Sequence, residues 1–192
     1  SYSYWTEFKE HSCGKVVDRM QVRIDSDDPH NTVGEIQTKG ANLMMGYYKN
    51  EEATSHTFTD DGWLKTGDLG LLDKDNFVFI KGRDKNMILG PSGQNIYPEE
   101  IEEKINALPY VSESLAIEEN KKIVALIVPD MDVMREHGID SHQMEHLFGK
   151  LIDEINGKLP NYSKIASFRL RDEEFEKTPK RSIKRFKYQQ KS

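Results

Sequence analysis

The chain carries one cysteine, Cys13, among its 192 residues, so no disulfide framework holds it together and a reducing cytoplasm is its expected location. Long apolar runs are scarce too. The longest, Ile123 to Val128, falls far short of the ~20 residues that cross a bilayer, and no transmembrane segment is expected. The opening Ser1-Tyr2-Ser3-Tyr4-Trp5 has neither an initiator Met nor the pattern of a signal peptide, and it reads as the cut edge of a longer chain. Internal repeats and low-complexity segments are missing as well. What is plentiful is charge: 31% of the residues are charged against 36% hydrophobic, which suits one large domain or two small, well-solvated units.

The charge is unevenly placed. From Lys177 onward there are seven Lys and Arg and no acid, leaving 20 basic against 33 acidic residues before it, a balance of −13. A basic tail on an acidic body fits either an anionic small molecule or a plain solvated end, and nothing suggests a nucleic-acid partner.

Along the chain, Met20, Val22 and Ile24 alternate, and Val33-Gly34-Glu35-Ile36 repeats that strand signal after the turn residues Asp27 to His30. Asn50 to Thr54 opens a short helix. Leu69 to Leu72 and Phe77 to Ile80, separated by Asp73-Lys74-Asp75-Asn76, predict a hairpin. Pro98 then opens a helix with Glu99, Glu100, Glu102 and Glu103 in and just after its first turn, where a helix N-terminus favours acids. Ile101, Ile105 and Leu108 give that helix its apolar face. Val111 to Ile117 and Ile123 to Val128 form a second hairpin candidate. Met144, Leu147, Phe148, Leu151, Ile152, Ile155 and Leu159 make one helical stripe, stopped by Gly157 and Pro160, and Ser167 to Arg171 adds a possible strand. The expected class is α+β. A small antiparallel, barrel-like β subdomain comes first, followed by a compact α+β domain with a short β-sheet flanked by helices.

One stretch, Gly62 to Glu102, concentrates the features of a site. Thr66-Gly67-Asp68 sets a carboxylate beside a glycine, where backbone can approach a ligand closely. Gly82-Arg83-Asp84-Lys85 ends a strand with three charges, a poor place for core and a good one for a site or a joint. Gly90-Pro91-Ser92-Gly93 is a second backbone-rich loop.

These residues resemble the adenylate-forming enzymes: acyl- and aryl-CoA synthetases, luciferases and the adenylation domains of peptide synthetases. The resemblance rests on Gly34-Glu35-Ile36 with Gly40 and Gly46-Tyr47; on Gly62-Trp63-x-x-Thr66-Gly67-Asp68; and on Lys81-Gly82-Arg83-x-Lys85. It continues through Ser92-Gly93-x-x-Ile96-x-Pro98-x-Glu100-Ile101-Glu102, Leu159-Pro160-x-Tyr162 and Lys177-Thr178-Pro179, all in the family's order. The wording GPSGQNIYPEEIE is most similar to long-chain fatty acid CoA ligases. The resemblance implies a truncated β-rich part of a large N-terminal adenylation domain at 1–83, a hinge at 84–85 and a mobile C-terminal domain at 86–192. It implies ATP, Mg2+ and CoA as cofactors and substrates, with a carboxylate, by that wording a fatty acid, as the group activated. The phosphate loop and acyl pocket of the family are not within these residues, so the piece alone is expected to be inert.

By the same resemblance Asp68 accepts the ribose hydroxyls of the nucleotide, Arg83 is a second nucleotide contact, and Lys85 is the hinge. Gly93 belongs to the loop that lines the pantetheine arm of CoA. The plain alternatives for Asp68, Arg83 and Gly93 are a turn carboxylate, a strand-end cation and a tight turn. No protein metal site is expected. His142-Gln143-Met144-Glu145-His146 fits a zinc-peptidase spacing, but on a helical wheel its ligand residues fall opposite the apolar stripe, which favours a solvated face.

One departure stands out. The family's adenylation lysine stands four residues after the Thr of the T-P pair, and here that position is Ser182. Losing one donor aimed at developing charge costs about 10²–10³ in rate. Lys184, two residues on and of the same parity along an extended segment, is the candidate substitute. The alternatives to a fatty acid ligase are another adenylate-forming enzyme, such as an aryl-CoA synthetase or a peptide-synthetase adenylation domain, and a non-catalytic homologue that binds an adenylate or a protein partner.

Overall fold

The computed structural model describes residues 7–189. The opening Ser1 to Trp5 and the end of the basic tail, Lys191 included, lie outside the described residues. The chain divides between Asn86 and Met87 into two compact units.

The first unit is a four-stranded antiparallel sheet. Strands β1 (Met20–Asp25), β2 (Gly34–Gly40), β3 (Leu64–Leu72) and β4 (Val78–Arg83) lie in sequence order, each paired with the next. The alternation of Met20, Val22 and Ile24 is realised, and Ile24 packs with Ile36 and Val78 in a small buried cluster. The short helix α1 (Glu51–Thr57) is capped by Asn50, whose side chain accepts from the Ala53 N–H.

The barrel-like closure read from the sequence is corrected here. Among the described residues β1 pairs only with β2, so the sheet is open. The far edge, at β4, is covered by Cys13 to Val16, with Cys13 N–H donating to Val78 O at 2.8 Å and Val78 N–H to Gly14 O at 3.1 Å. Four twisted strands are too few to bring the two edges together.

The second unit is α+β. A two-residue-per-strand hairpin, β5 (Ile88–Leu89) and β6 (Asn95–Ile96), leads into helix α2 (Pro98–Asn106). Strands β7 (Val111–Glu119) and β8 (Lys122–Pro129) form the expected hairpin, closed by Asn120 and Lys121 at φ 52° and 60°, the left-handed pair of a type I′ turn. Helices α3 (Met131–Glu136) and α4 (Ser141–Asn156) follow, and β9 (Ile165–Leu170) returns parallel to β8. A capping box at Asp140 and Gln143 starts α4, and its stripe buries Met144, Phe148, Ile152 and Ile155.

The sheet β7-β8-β9 separates two cores. Ala116, Ile123, Ala125 and Ile127 face Ile101 and Ile105 of α2, Met134 of α3 and Phe148 and Ile152 of α4. Leu115, Ile117, Val124, Leu126 and Val128 face Phe175, with Ile183 and Tyr188 packed against them. The helices therefore cover one face only. The other is covered by residues 175–188, so the described start of the basic tail is an ordered layer of the fold and not a solvated end.

Candidate functional site

In the first unit the motif Thr66-Gly67-Asp68 is not a loop. It lies within β3, which begins at Leu64, five residues before the strand expected from the sequence. Between the pairs Glu35–Leu69 and Gln37–Lys65, three residues of β3 face Ile36 alone, which makes a bulge. Gly67 supplies the left-handed turn the bulge needs, at φ +71°, and its N–H donates to Glu35 Oε1 at 3.1 Å. Thr66 Oγ1 donates to Ile36 O at 2.7 Å and accepts from the Asp68 N–H at 3.1 Å. The backbone on both sides of Asp68 is thus tied down.

The bulge places Asp68 opposite Arg83 on β4. Arg83 Nε lies 2.9 Å from Asp68 Oδ1, and Arg83 Nη1 donates to Thr66 O at 3.3 Å. The pair faces solvent, with the Arg83 side chain 58% and the Asp68 side chain 27% exposed, so it contributes little to stability. Its value is positional. A carboxylate acceptor and a cationic donor are thereby held side by side at the surface. A cavity of about 260 Å³ includes Thr66 and Asp68 in its lining beside the apolar Val22, Ile36, Val78 and Ile80.

The approach to the bulge is braced by Trp63. The Arg23 guanidinium lies 4.5 Å from its ring centroid and the Lys39 ammonium 5.8 Å. Arg23 is itself held by two bonds to Asp61, at 2.7 and 3.1 Å, and by Gln37 Oε1 at 2.7 Å. The Arg23 and Thr59 contacts hold the Asp61 carboxyl well below the usual carboxylate range.

Lys85 lies in the exposed 3₁₀ turn Asp84–Asn86, two residues after Arg83 and directly before the division between the units. Gly93 sits at the exposed tip of the β5–β6 hairpin, closed by Gly90 N–H to Gln94 O at 2.8 Å and Gly93 N–H to Gly90 O at 2.9 Å. At φ +83° it needs glycine for its backbone, while a side chain there would meet nothing within 4 Å.

The end of the chain forms a second hairpin. Lys177 pairs with Ile183, Thr178 N–H donates to Ser182 O at 2.8 Å, and Arg181 N–H to Thr178 O at 2.8 Å. Arg181, at φ 62°, is the left-handed residue of this three-residue loop. Ser182 is exposed beside it, and its N–H donates to Thr178 Oγ1 at 3.2 Å. Lys184, the candidate substitute for the missing lysine, is engaged: its ammonium, with that of Lys187, grips the carboxylate of Glu176. The structure thus brings Asp68 and Arg83 together, with Lys85 two residues on in the chain. Gly93 and Lys184 stand on separate hairpins of the second unit.

Sequence reasoning missed Glu102. It was read as one of several acids at a helix N-terminus, but it is 8% exposed. Glu102 Oε1 accepts from the Ala116 N–H at 2.7 Å, and Oε2 pairs with Arg185 Nη2. Burial pushes its carboxyl up to about 7, against Arg185 and the Ala116 N–H, which lower it. The one signal in the sequence is its place directly after Ile101, on the edge of the buried stripe. Among the described residues no group of three or more His, Cys, Asp or Glu could hold a metal ion.

The second unit and the terminal hairpin are the parts that identify the class. The model of the AMP-binding enzyme C-terminal domain matches residues 85–191, more than half of the chain, and the chain belongs to this family of AMP-binding enzymes. It is 35% identical over 126 residues to the long-chain-fatty-acid–CoA ligase FadD15 of Mycobacterium tuberculosis, covering 66% of this chain and 20% of that protein. It is 43% identical over 109 residues to the 2-succinylbenzoate–CoA ligase of Bacillus cytotoxicus, covering 55% and 22%. The o-succinylbenzoate CoA synthetase of Bacillus subtilis, solved with the acyl-adenylate intermediate OSB-AMP, is similar with a TM-score of 0.77 at 30% identity, over 94% of this chain and 36% of that one. The chain spans about a fifth of the length of these curated relatives and about a third of the solved chain.

Proposed function

We propose that this chain is the C-terminal part of an AMP-forming acyl-CoA ligase. The observation that carries the reading is the Asp68–Arg83 pair. A strand bulge holds a solvent-facing carboxylate beside a guanidinium, which matches a ribose diol next to phosphate oxygens. In the reaction, a carboxylate oxygen attacks the α-phosphorus of ATP and pyrophosphate leaves. The CoA thiol then attacks the acyl carbonyl, loses its proton to solvent or base, and AMP leaves. Magnesium arriving with ATP offsets phosphate charge.

In this reading Asp68 orients the ribose and Arg83 the adjacent oxygens. Lys85 takes up the φ/ψ change as the C-terminal domain turns between the two half-reactions. Gly93 lets backbone lie against the pantetheine arm, and Lys184 supplies the cation that Ser182 does not. The finer proposal concerns the acid, a long-chain fatty acid, supported by the likeness to FadD15. An aryl acid is the second reading, supported by the higher identity to the 2-succinylbenzoate ligase over a shorter stretch.

The test is AMP release from the full-length protein with ATP and CoA, offered palmitate, 2-succinylbenzoate or no acid. Acid- and CoA-dependent AMP supports the ligase, and the preferred acid decides between the two readings. ATP binding without AMP release from a broad panel of acids points to a non-catalytic adenylate binder.

A further inference from the structure

The terminal hairpin carries more cations than its own fold consumes. Between Glu176 and Lys187 there are six, Lys177, Lys180, Arg181, Lys184, Arg185 and Lys187, and one acid, Glu176 itself. Two of the six are neutralised by acids outside this segment. Lys177 is held by Glu113 and Glu174, and the Arg185 guanidinium by Glu102, with Glu99 at 3.7 Å. Lys180 and Arg181 project from the exposed turn and have no ion-pair partner among the described residues. Lys184 and Lys187, at the two ends of one 3₁₀ turn, both close on Glu176.

Glu176 is fixed for this task by its backbone. Its O accepts from the Lys184 N–H at 2.8 Å and its N–H donates to Tyr188 Oη at 2.8 Å. Tyr188 packs edge-on against the buried Phe175, ring centroids 5.1 Å apart. The two ammoniums hold the Glu176 carboxyl below its ordinary value. A single carboxylate thus stands between two ammoniums, in the place an external oxyanion would take.

We propose that Lys184 and Lys187 form a phosphate-oxyanion site and that Glu176 is its internal occupant, displaced when a nucleotide phosphate or pyrophosphate arrives. The inference rests on the ligase reading for its biological ligand, but not for its chemistry. Displacement is feasible because the contacts face solvent: 44% of the Glu176 side chain and 43% of the Lys187 side chain are exposed. Exposed pairs are weak and screened by salt, and an anion carrying two or more charges outcompetes one carboxylate for two lysines. With Glu176 in place, Lys184 is withheld; with phosphate in place, it is committed to the substrate. Glu176 is on this account a positioning residue that keeps the substitute cation idle until ligand binds.

The experiment is titration of the chain with inorganic pyrophosphate, and separately with AMP, by calorimetry at low salt. Glu176→Gln removes the competing charge and is expected to tighten pyrophosphate binding by about two- to thirtyfold, the span of two exposed charge pairs. The paired change Lys184→Ala, Lys187→Ala abolishes both the binding and the gain from Glu176→Gln. Glu176→Asp keeps the charge on a shorter stem and falls between wild type and Glu176→Gln, which guards against a folding artefact. Tightening for both ligands assigns the site to phosphate in general, and tightening for AMP alone ties it to the nucleotide. Unchanged or weaker binding of both by a folded Glu176→Gln chain overturns the proposal, whatever the full-length protein does. Glu176-dependent binding in a protein that releases no AMP with any acid leaves this site standing and removes the ligase reading instead.

Discussion

Lowering the pH from 8 to 6 is expected to stabilise the second unit by about 1.4 kcal/mol through Glu102 alone. Its carboxyl is pushed up to about 7 in the folded chain, from an ordinary value of 4.5. The unfolded chain keeps it ionised at both pH values. Between pH 8 and 6 the folded chain takes up a proton that the unfolded chain does not, which multiplies the folding constant by about ten. Stability from this group is fully present below about 4.5 and is lost as the pH rises through about 7. The assay is hydrogen exchange at the amides of Leu115 to Ile117 and Val124 to Leu126, corrected for intrinsic rates and compared with Glu102→Gln at both pH values. The variant keeps an acceptor for the Ala116 N–H but cannot titrate. Its overall stability falls, because Arg185 loses its nearest partner, so the readout is the pH difference and not the level. Every contribution that Glu102 does not make is common to the two proteins and cancels in the comparison. Replacing Arg185 with Leu removes a charge that lowers the Glu102 carboxyl, so the transition moves to higher pH. Equal pH dependence in wild type and Glu102→Gln would refute the assignment.

Three further predictions concern the proposed reaction in the full-length protein. Lys85→Pro locks φ in the 3₁₀ turn Asp84–Asn86 and should slow thioester formation far more than adenylation; equal losses in the two half-reactions mean general misfolding. Lys184→Ala should lower pyrophosphate release by about 10²–10³, with Ser182→Lys restoring it and thioester formation from supplied acyl-adenylate unaffected; unchanged pyrophosphate release ends the substitute-lysine idea. Gly93→Ala meets no neighbour but must hold φ +83°, a cost of roughly 1 kcal/mol, and should slow the CoA step selectively. Identical thioester kinetics there would make Gly93 a turn residue and nothing more.

Local pattern carried much of the fold and long-range chemistry carried the rest. Met20, Val22 and Ile24, the stripe of α4, and Pro98 at the head of α2 announce their elements because period and punctuation are local signals. The openness of the first sheet was not legible, since alternation marks a strand without saying what lies at its edges. Helix α3 was missed: six residues are too few to show a period, though Asp130, whose side chain caps it, was a usable sign. The tail misled because its charges are conspicuous and the apolar residues that dock it on Phe175 (Ile183 and Tyr188) are only two. At the site, Asp68 and Arg83 were legible one at a time through their motifs. Their pairing depends on a bulge that a linear pattern cannot show. Glu102 was invisible as a buried acid because its partner, Arg185, lies 83 residues away.

The central claim is that Asp68, held by the β3 bulge beside Arg83, binds the nucleotide. The most direct measurement is the calorimetric affinity of the full-length protein for AMP, wild type against Asp68→Ala. Hydrogen bonds to a charged group are worth roughly 1.5–3 kcal/mol, so the account predicts a loss of about 10- to 150-fold with the fold intact by circular dichroism. An unchanged AMP affinity in the folded variant would contradict it.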